Sequence, residues 1–218
     1  MHLQSEELAE WYLKLQETGH VHNINLVTPE HVVPQVVLSI LHAKTLGLTL
    51  PIVYNTSSFD SLASIELLDG LVDIYLPDFK VWNAATSKRL LKADDYAEVA
   101  KESIKAMYKQ VGDLCFTTDG LAKKGVLLRH LVMPGFEDEG KHIMQWLAEN
   151  YHPRAHVGKQ RRGPRGSSVS SSEPSEQLRY ADINRAVRLE EVHSVSQAAR
   201  EAGLWRFAEA AEHGGHNI

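Results

Sequence analysis

The sequence predicts an α/β fold, a partial (β/α) barrel with a mainly parallel sheet. Three observations carry this. Short apolar runs alternate with amphipathic stretches of helix length over the first 155 or so residues. Gly and Pro punctuate the joins between them. Polar and ionisable residues gather just after the apolar runs, where parallel folds place functional groups.

The elements follow in order. Leu8, Trp11, Tyr12 and Leu15 recur at helical spacing, predicting a helix over 5–18 that Gly19 ends. Ile24–Val27 is a short strand that reads as buried on both faces. Thr28-Pro29-Glu30 reads as a helix start, with Thr as cap and Pro in the first turn, for a helix carrying Val33, Val36, Val37 and Ile40 inward and closed by Gly47. Strands are expected at 51–54 and 72–76, with a short helix over 60–69 between them. A long helix over 94–111 is built on Tyr96, Val99, Ile104 and Met107. Asp119-Gly120 is a hairpin-type turn leading into strand 126–133, which Pro134-Gly135 breaks before a helix over 138–150.

Three regions result: an α/β unit over 1–157, a Gly/Ser/Pro/Arg-rich flexible linker over 158–177, and a C-terminal helical segment over 178–218 packing back on the barrel. Leu189, Val192, Val195 and Ala199 mark the last helix, ended by Gly203. The tail from Glu212 reads as frayed.

Composition narrows the function. A net charge of -5 argues against a general nucleic-acid binder. No apolar run approaches the roughly 18 residues that span a bilayer. The N-terminus lacks the basic start and apolar stretch of a secretory signal, so a cytoplasmic protein is expected. Cys115 is the single cysteine, the twelve histidines are scattered, and Pro153 argues against a shared helix face for His152 and His156.

Four strand ends carry candidate chemistry. The first delivers Thr28, Pro29, Glu30 and His31; the second Asn55, Thr56 and Ser57; the third Asp78 and Lys80, on one face by the period of two. The fourth strand holds Arg129 and His130, where a charge needs a polar surrounding or a partner. Each has a plainer reading: a helix cap, a turn, a solvated ion pair at the rim.

Four motifs extend the reading: NINLVTPEHVVPQ (23–35), PIVYNTSSFD (51–60), VDIYLPDFK (72–80) and LLRHLVMPG (127–135). In this order they resemble the radical S-adenosylmethionine proteins related to pyruvate formate-lyase activating enzyme. The resemblance implies S-adenosylmethionine as cofactor and a [4Fe–4S] cluster that cleaves it to a 5′-deoxyadenosyl radical. It also implies a glycyl radical enzyme or another protein as the partner that yields hydrogen. By position it assigns Thr28 and Glu30 to the amino group of the methionine moiety. Asn55 and Thr56 fall near the ribose and a cation, Asp78 and Lys80 at the methionine end, and Arg129 beside the cofactor.

The chain departs from that family in having no CxxxCxxC motif. The expectation is a barrel truncated at its N-terminus, without cluster ligands and inactive as this polypeptide. A further expectation is that the family's late strand has given way to low-complexity sequence. Open edges at Ile24–Val27 and 126–133 would then favour edge-to-edge self-association. Two alternatives stay open: a non-catalytic nucleotide- or partner-binding remnant, and an aldolase-like lyase using Lys80 as Schiff-base amine.

Overall fold

A computed structural model describes residues 4–151, 156–161, 180–204 and 206–208. Helix α1 (Ser5–Thr18) precedes strand β1 (Ile24–Val27), α2 (Val33–Thr45), β2 (Ile52–Thr56), α3 (Leu62–Leu67) and β3 (Ile74–Pro77). Helices α4 (Ala84–Leu91) and α5 (Tyr96–Val111) follow, then β4 (Cys115–Phe116), β5 (Ala122–Val132) and α6 (Glu137–Asn150). Strand β6 (His156–Arg161), a 3-10 turn (Ala181–Ile183), α7 (Leu189–Glu201) and β7 (Arg206–Ala208) complete the described chain.

The strands lie in the order β1-β2-β3-β5-β6-β7, with β4 paired antiparallel to β5. Every neighbour along that path is parallel. Among the described residues β1 pairs only with β2 and β7 only with β6, so the sheet is open.

Because side chains alternate across a strand, each strand serves two layers. Ile24, Ile52, Tyr54, Tyr75 and Val126 face α1, α2 and α3 in one apolar cluster. Leu128 and Val132 join Ile143, Leu147, Val195 and Leu204 in a second, which holds α6 and α7 on the sheet. On the opposite, inner face lies a small cluster of Val53, Ile74 and Leu114, flanked by Leu76 and Leu127. Burial there is thin, and polar groups take over toward the strand ends.

Several expectations change. Thr28-Pro29-Glu30 does not start α2. Thr28 takes a left-handed φ of 57°, its N–H bonds Asn55 O at 2.8 Å, and the helix begins at Val33 with Pro34 in its first turn. The ladder to β2 claims Thr28, and the second proline is the one preorganised for the helix.

Strand β1 is not buried on both faces: Val27 is 66% exposed, because nothing described covers the inner face at that edge. Trp11 and Leu15 stand outward while Ala9 and Tyr12 fill the α1 contact, and Leu189 is exposed. Helix α4 was not anticipated; Glu139 Oε2 accepts the N–H groups of Trp82 and Asn83 at 2.7 and 3.1 Å, a cap supplied from 56 or more residues away. The late strand is present. Strand β6 pairs with β5 from Leu127↔His156 to Val132↔Arg161, so this edge of β5 is covered and the expected linker begins inside a strand. The ladder is backbone, which composition does not report. The rest of that linker and the tail from Glu212 lie outside the described residues.

Candidate functional site

Three neighbouring strands bring one polar cluster to their C-terminal ends. Asp78 continues β3, its N–H bonded to Thr56 O at 2.9 Å, and Phe79 N–H reaches Arg129 O at 2.9 Å. Phe79 and Val81 are fully buried on the helix side, so Asp78 and Lys80 turn to the inner face. Arg129 enters from β5 on that same face.

There Arg129 Nε donates to Asp78 Oδ1 at 2.7 Å and an Nη to Asn55 Oδ1 at 2.9 Å. Lys80 Nζ lies 3.2 Å from Asp78 Oδ2. One carboxylate thus serves two cations, and the group carries a formal surplus of one positive charge. Side-chain exposures of 16% for Asp78, 25% for Arg129 and 26% for Lys80 leave the cluster reachable from solvent. This is no rim ion pair in open water.

Glu30 belongs to the adjoining loop. Ser57 Oγ donates to its Oε1 at 2.9 Å, while its Oε2 is buried with no hydrogen-bond partner. A buried carboxylate oxygen without a donor is costly unless something arrives to fill it.

The other sequence candidates divide. Thr28 is exposed, its backbone tied to β2, and His31 is exposed beyond it. Thr56 turns to the helix side: its Oγ1 donates to Asp60 Oδ2 at 2.5 Å, and Tyr54 OH donates to Oδ1 at 2.7 Å. Burial pushes the Asp60 carboxyl above its usual range, opposed by those two bonds and reinforced by nearby Glu30. His130 also lies on the helix side, with Nδ1 2.7 Å from Phe79 O, and burial lowers its pKa. The His152–His156 pair falls outside the described side chains.

Sequence reasoning missed Asp60 and Tyr96. Asp60 closes the motif 51–60 but stood at the start of the helix expected over 60–69, where nothing marked its carboxyl. Tyr96 was assigned to the apolar stripe of a helix, where nothing marks a hydroxyl as important. Its OH lies 2.9 Å from both Ser57 O and Asp78 O and accepts Lys80 N–H at 3.1 Å, and burial raises its pKa strongly.

An open, mainly parallel α/β sheet with its polar groups at the strand ends is the class that fold and site define. Over 86% of its length the chain is similar in structure to a domain of pyruvate-formate lyase-activating enzyme from Bacteroides vulgatus, of which it covers 98%. The TM-score is 0.57 and the sequence identity 11%, a likeness of fold. In sequence it is 28% identical over 170 residues to the uncharacterized protein MJ0674 of Methanocaldococcus jannaschii. That match takes in 77% of this chain but 43% of the relative, so the chain spans less than half of the protein it matches. No protein-family model matches the chain. No helix among the described residues is long and apolar enough to cross a membrane.

Proposed function

We propose that the chain binds S-adenosylmethionine at the strand ends by its amino-acid moiety. The observation that carries this is the charge left unmatched at neighbouring strand ends. Lys80 and Arg129 share a single carboxylate partner, and in the adjoining loop Glu30 Oε2 is buried and unpartnered. A ligand carboxylate would be drawn to the cations, and a ligand ammonium would supply the missing donor to Glu30. Asn55 holds Arg129 in place. The four motifs and the fold likeness support the choice of ligand among amino-acid-bearing molecules.

In the family that the motifs resemble, S-adenosylmethionine supplies a 5′-deoxyadenosyl radical. The residues present do not fit the iron–sulfur cluster that family uses. Such clusters take several thiolates, and Cys115 is the single cysteine of the sequence. It lies on β4 opposite Lys124, five residues and about 16 Å along β5 from Arg129, at the other end of the sheet. Among the described residues no three His, Cys, Asp or Glu side chains form a metal group. Thiolates for a cluster at this site would have to come from outside residues 1–218, as would the hydrogen-donating partner. As a lyase amine Lys80 is poorly placed: it is ion-paired with Asp78, whereas imine chemistry favours a desolvated lysine in an apolar pocket.

Calorimetric titration of the purified chain with S-adenosylmethionine tests the reading. Binding weaker than about 1 μM is expected, short of the roughly 8 kcal/mol that affinity represents. Glu30→Gln should weaken it. Absence of binding at millimolar ligand, or equal binding by the Glu30→Gln chain, would overturn the assignment.

A further inference from the structure

We propose that Tyr96 is the positioning residue of this site, a clamp that holds the loop after β2 and the segment after β3 in register; the inference rests on the ligand reading above. The two segments carry different parts of the site. Ser57 holds Glu30, and Asp78 with Lys80 forms the cationic part. Regular ladder bonds end at Asp78 N–H and Phe79 N–H, so Lys80 N–H is the first donor beyond the sheet. The Tyr96 hydroxyl accepts it at 3.1 Å and lies 2.9 Å from the carbonyl oxygens of both Ser57 and Asp78. A phenol has one proton, so at any moment it donates to one carbonyl while its lone pair takes the Lys80 amide.

The ring is fixed as firmly as the hydroxyl. Tyr96 is 2% exposed, stacked on Phe59 at 6.0 Å between centroids and edge-on to Phe79 at 6.4 Å. It opens α5, whose residues Ala97, Ala100 and Ile104 are anchored in the helix-side core. The clamp therefore ties both ligand-facing segments to the rigid layer behind the sheet. Nothing else described bridges Ser57, Asp78 and Lys80 at once.

Tyr96→Phe keeps the ring and removes the three polar contacts. Tyr108→Phe is the control, removing a hydroxyl bonded to Asp113 at 2.7 Å near the other end of the same helix. Tyr96→Phe should lower affinity for S-adenosylmethionine about tenfold. Its effect should also be non-additive with that of Ser57→Ala, whereas Tyr108→Phe leaves affinity unchanged at a similar melting temperature. Hydrogen exchange of the Lys80 amide gives a readout without ligand: it should be protected in the unmodified chain and exchange at least about tenfold faster in Tyr96→Phe. An unprotected Lys80 amide in the unmodified chain overturns the clamp whether or not the variant folds, and so does equal loss of affinity in both variants. If the unmodified chain binds no S-adenosylmethionine, the ligand reading falls, while the Lys80 exchange still decides the clamp.

Discussion

Two carboxylates organise two arginine-bearing networks in this molecule, and they differ in what they leave over. Glu191, on α7, accepts four hydrogen bonds. Oε1 takes Gly135 N–H at 2.8 Å and an Arg185 Nη at 2.5 Å, and Oε2 takes the other Nη at 3.0 Å and Arg188 N–H at 2.7 Å. Asp78 takes one cation on each oxygen, and those cations keep further donors for something else. The first arrangement is complete and fastens α7 to the Pro134-Gly135 turn. The second has spare capacity on its cations, and in the adjoining loop Glu30 Oε2 is buried without a donor. Leftover hydrogen-bonding capacity, rather than the presence of charge, separates a fastening from a site.

The sharpest way to break that contrast is to remove each centre in turn. Glu191→Ala should cost about 2–4 kcal/mol of stability, because it strands two backbone N–H groups and Arg185. Urea denaturation measures it, and a loss under 1 kcal/mol would make the clasp ornamental. Arg129→Met should do the reverse: affinity for S-adenosylmethionine falls about tenfold or more by calorimetry, with stability changed by about 1 kcal/mol or less. An Arg129 variant that binds as before but melts early would turn the strand-end cluster into a second fastening.

The pH dependence sharpens the comparison further. The Arg185 guanidinium, with help from the Arg188 and Gly135 N–H groups, holds the Glu191 carboxyl down to about 2. A depressed folded pKa means stability present above the unfolded value near 4.5 and lost as pH falls toward 2. Asp60 runs the other way: its raised pKa favours the fold below the unfolded value near 3.8 and costs stability as pH rises through the folded one. Glu191→Gln should therefore flatten the acid limb of a stability–pH profile, and Asp60→Asn should flatten the decline above it. The smallest effect is expected from Lys80→Met, a few-fold in affinity and within about 0.5 kcal/mol in stability, since Asp78 keeps its bond from Arg129.

What could be read from the sequence follows a physical line. Strand β1 was legible to the residue, and β2, β3, β5 and α6 to within a few, because local apolar pattern and turn residues define them. Asp78 with Lys80, and Arg129 in an apolar strand, were legible as site candidates, because period two and the cost of a lone charge are local arguments. The rest depends on contacts between distant segments. The cap of α4 comes from Glu139, the Lys80 amide is received by Tyr96, and β6 is held by a backbone ladder that its polar composition conceals. Thr28-Pro29-Glu30 misled for a related reason: it looks like a helix cap until β2 claims the Thr28 amide.

Arg129 and His130 stand side by side in β5 yet live on opposite faces of the sheet, and this places a limit on how the gene can change length. A single-residue insertion or deletion between the β4–β5 turn and Arg129 would exchange their faces. The guanidinium would then be driven against α6, where Gly140 leaves so little room that an added methyl would come within 2.9 Å of His130 Nε2 and of Val195. The imidazole would be offered to Asp78 in its place. Length variation among relatives should therefore skip this strand and collect in the turn at 117–120, where the chain reverses at the far end of the sheet.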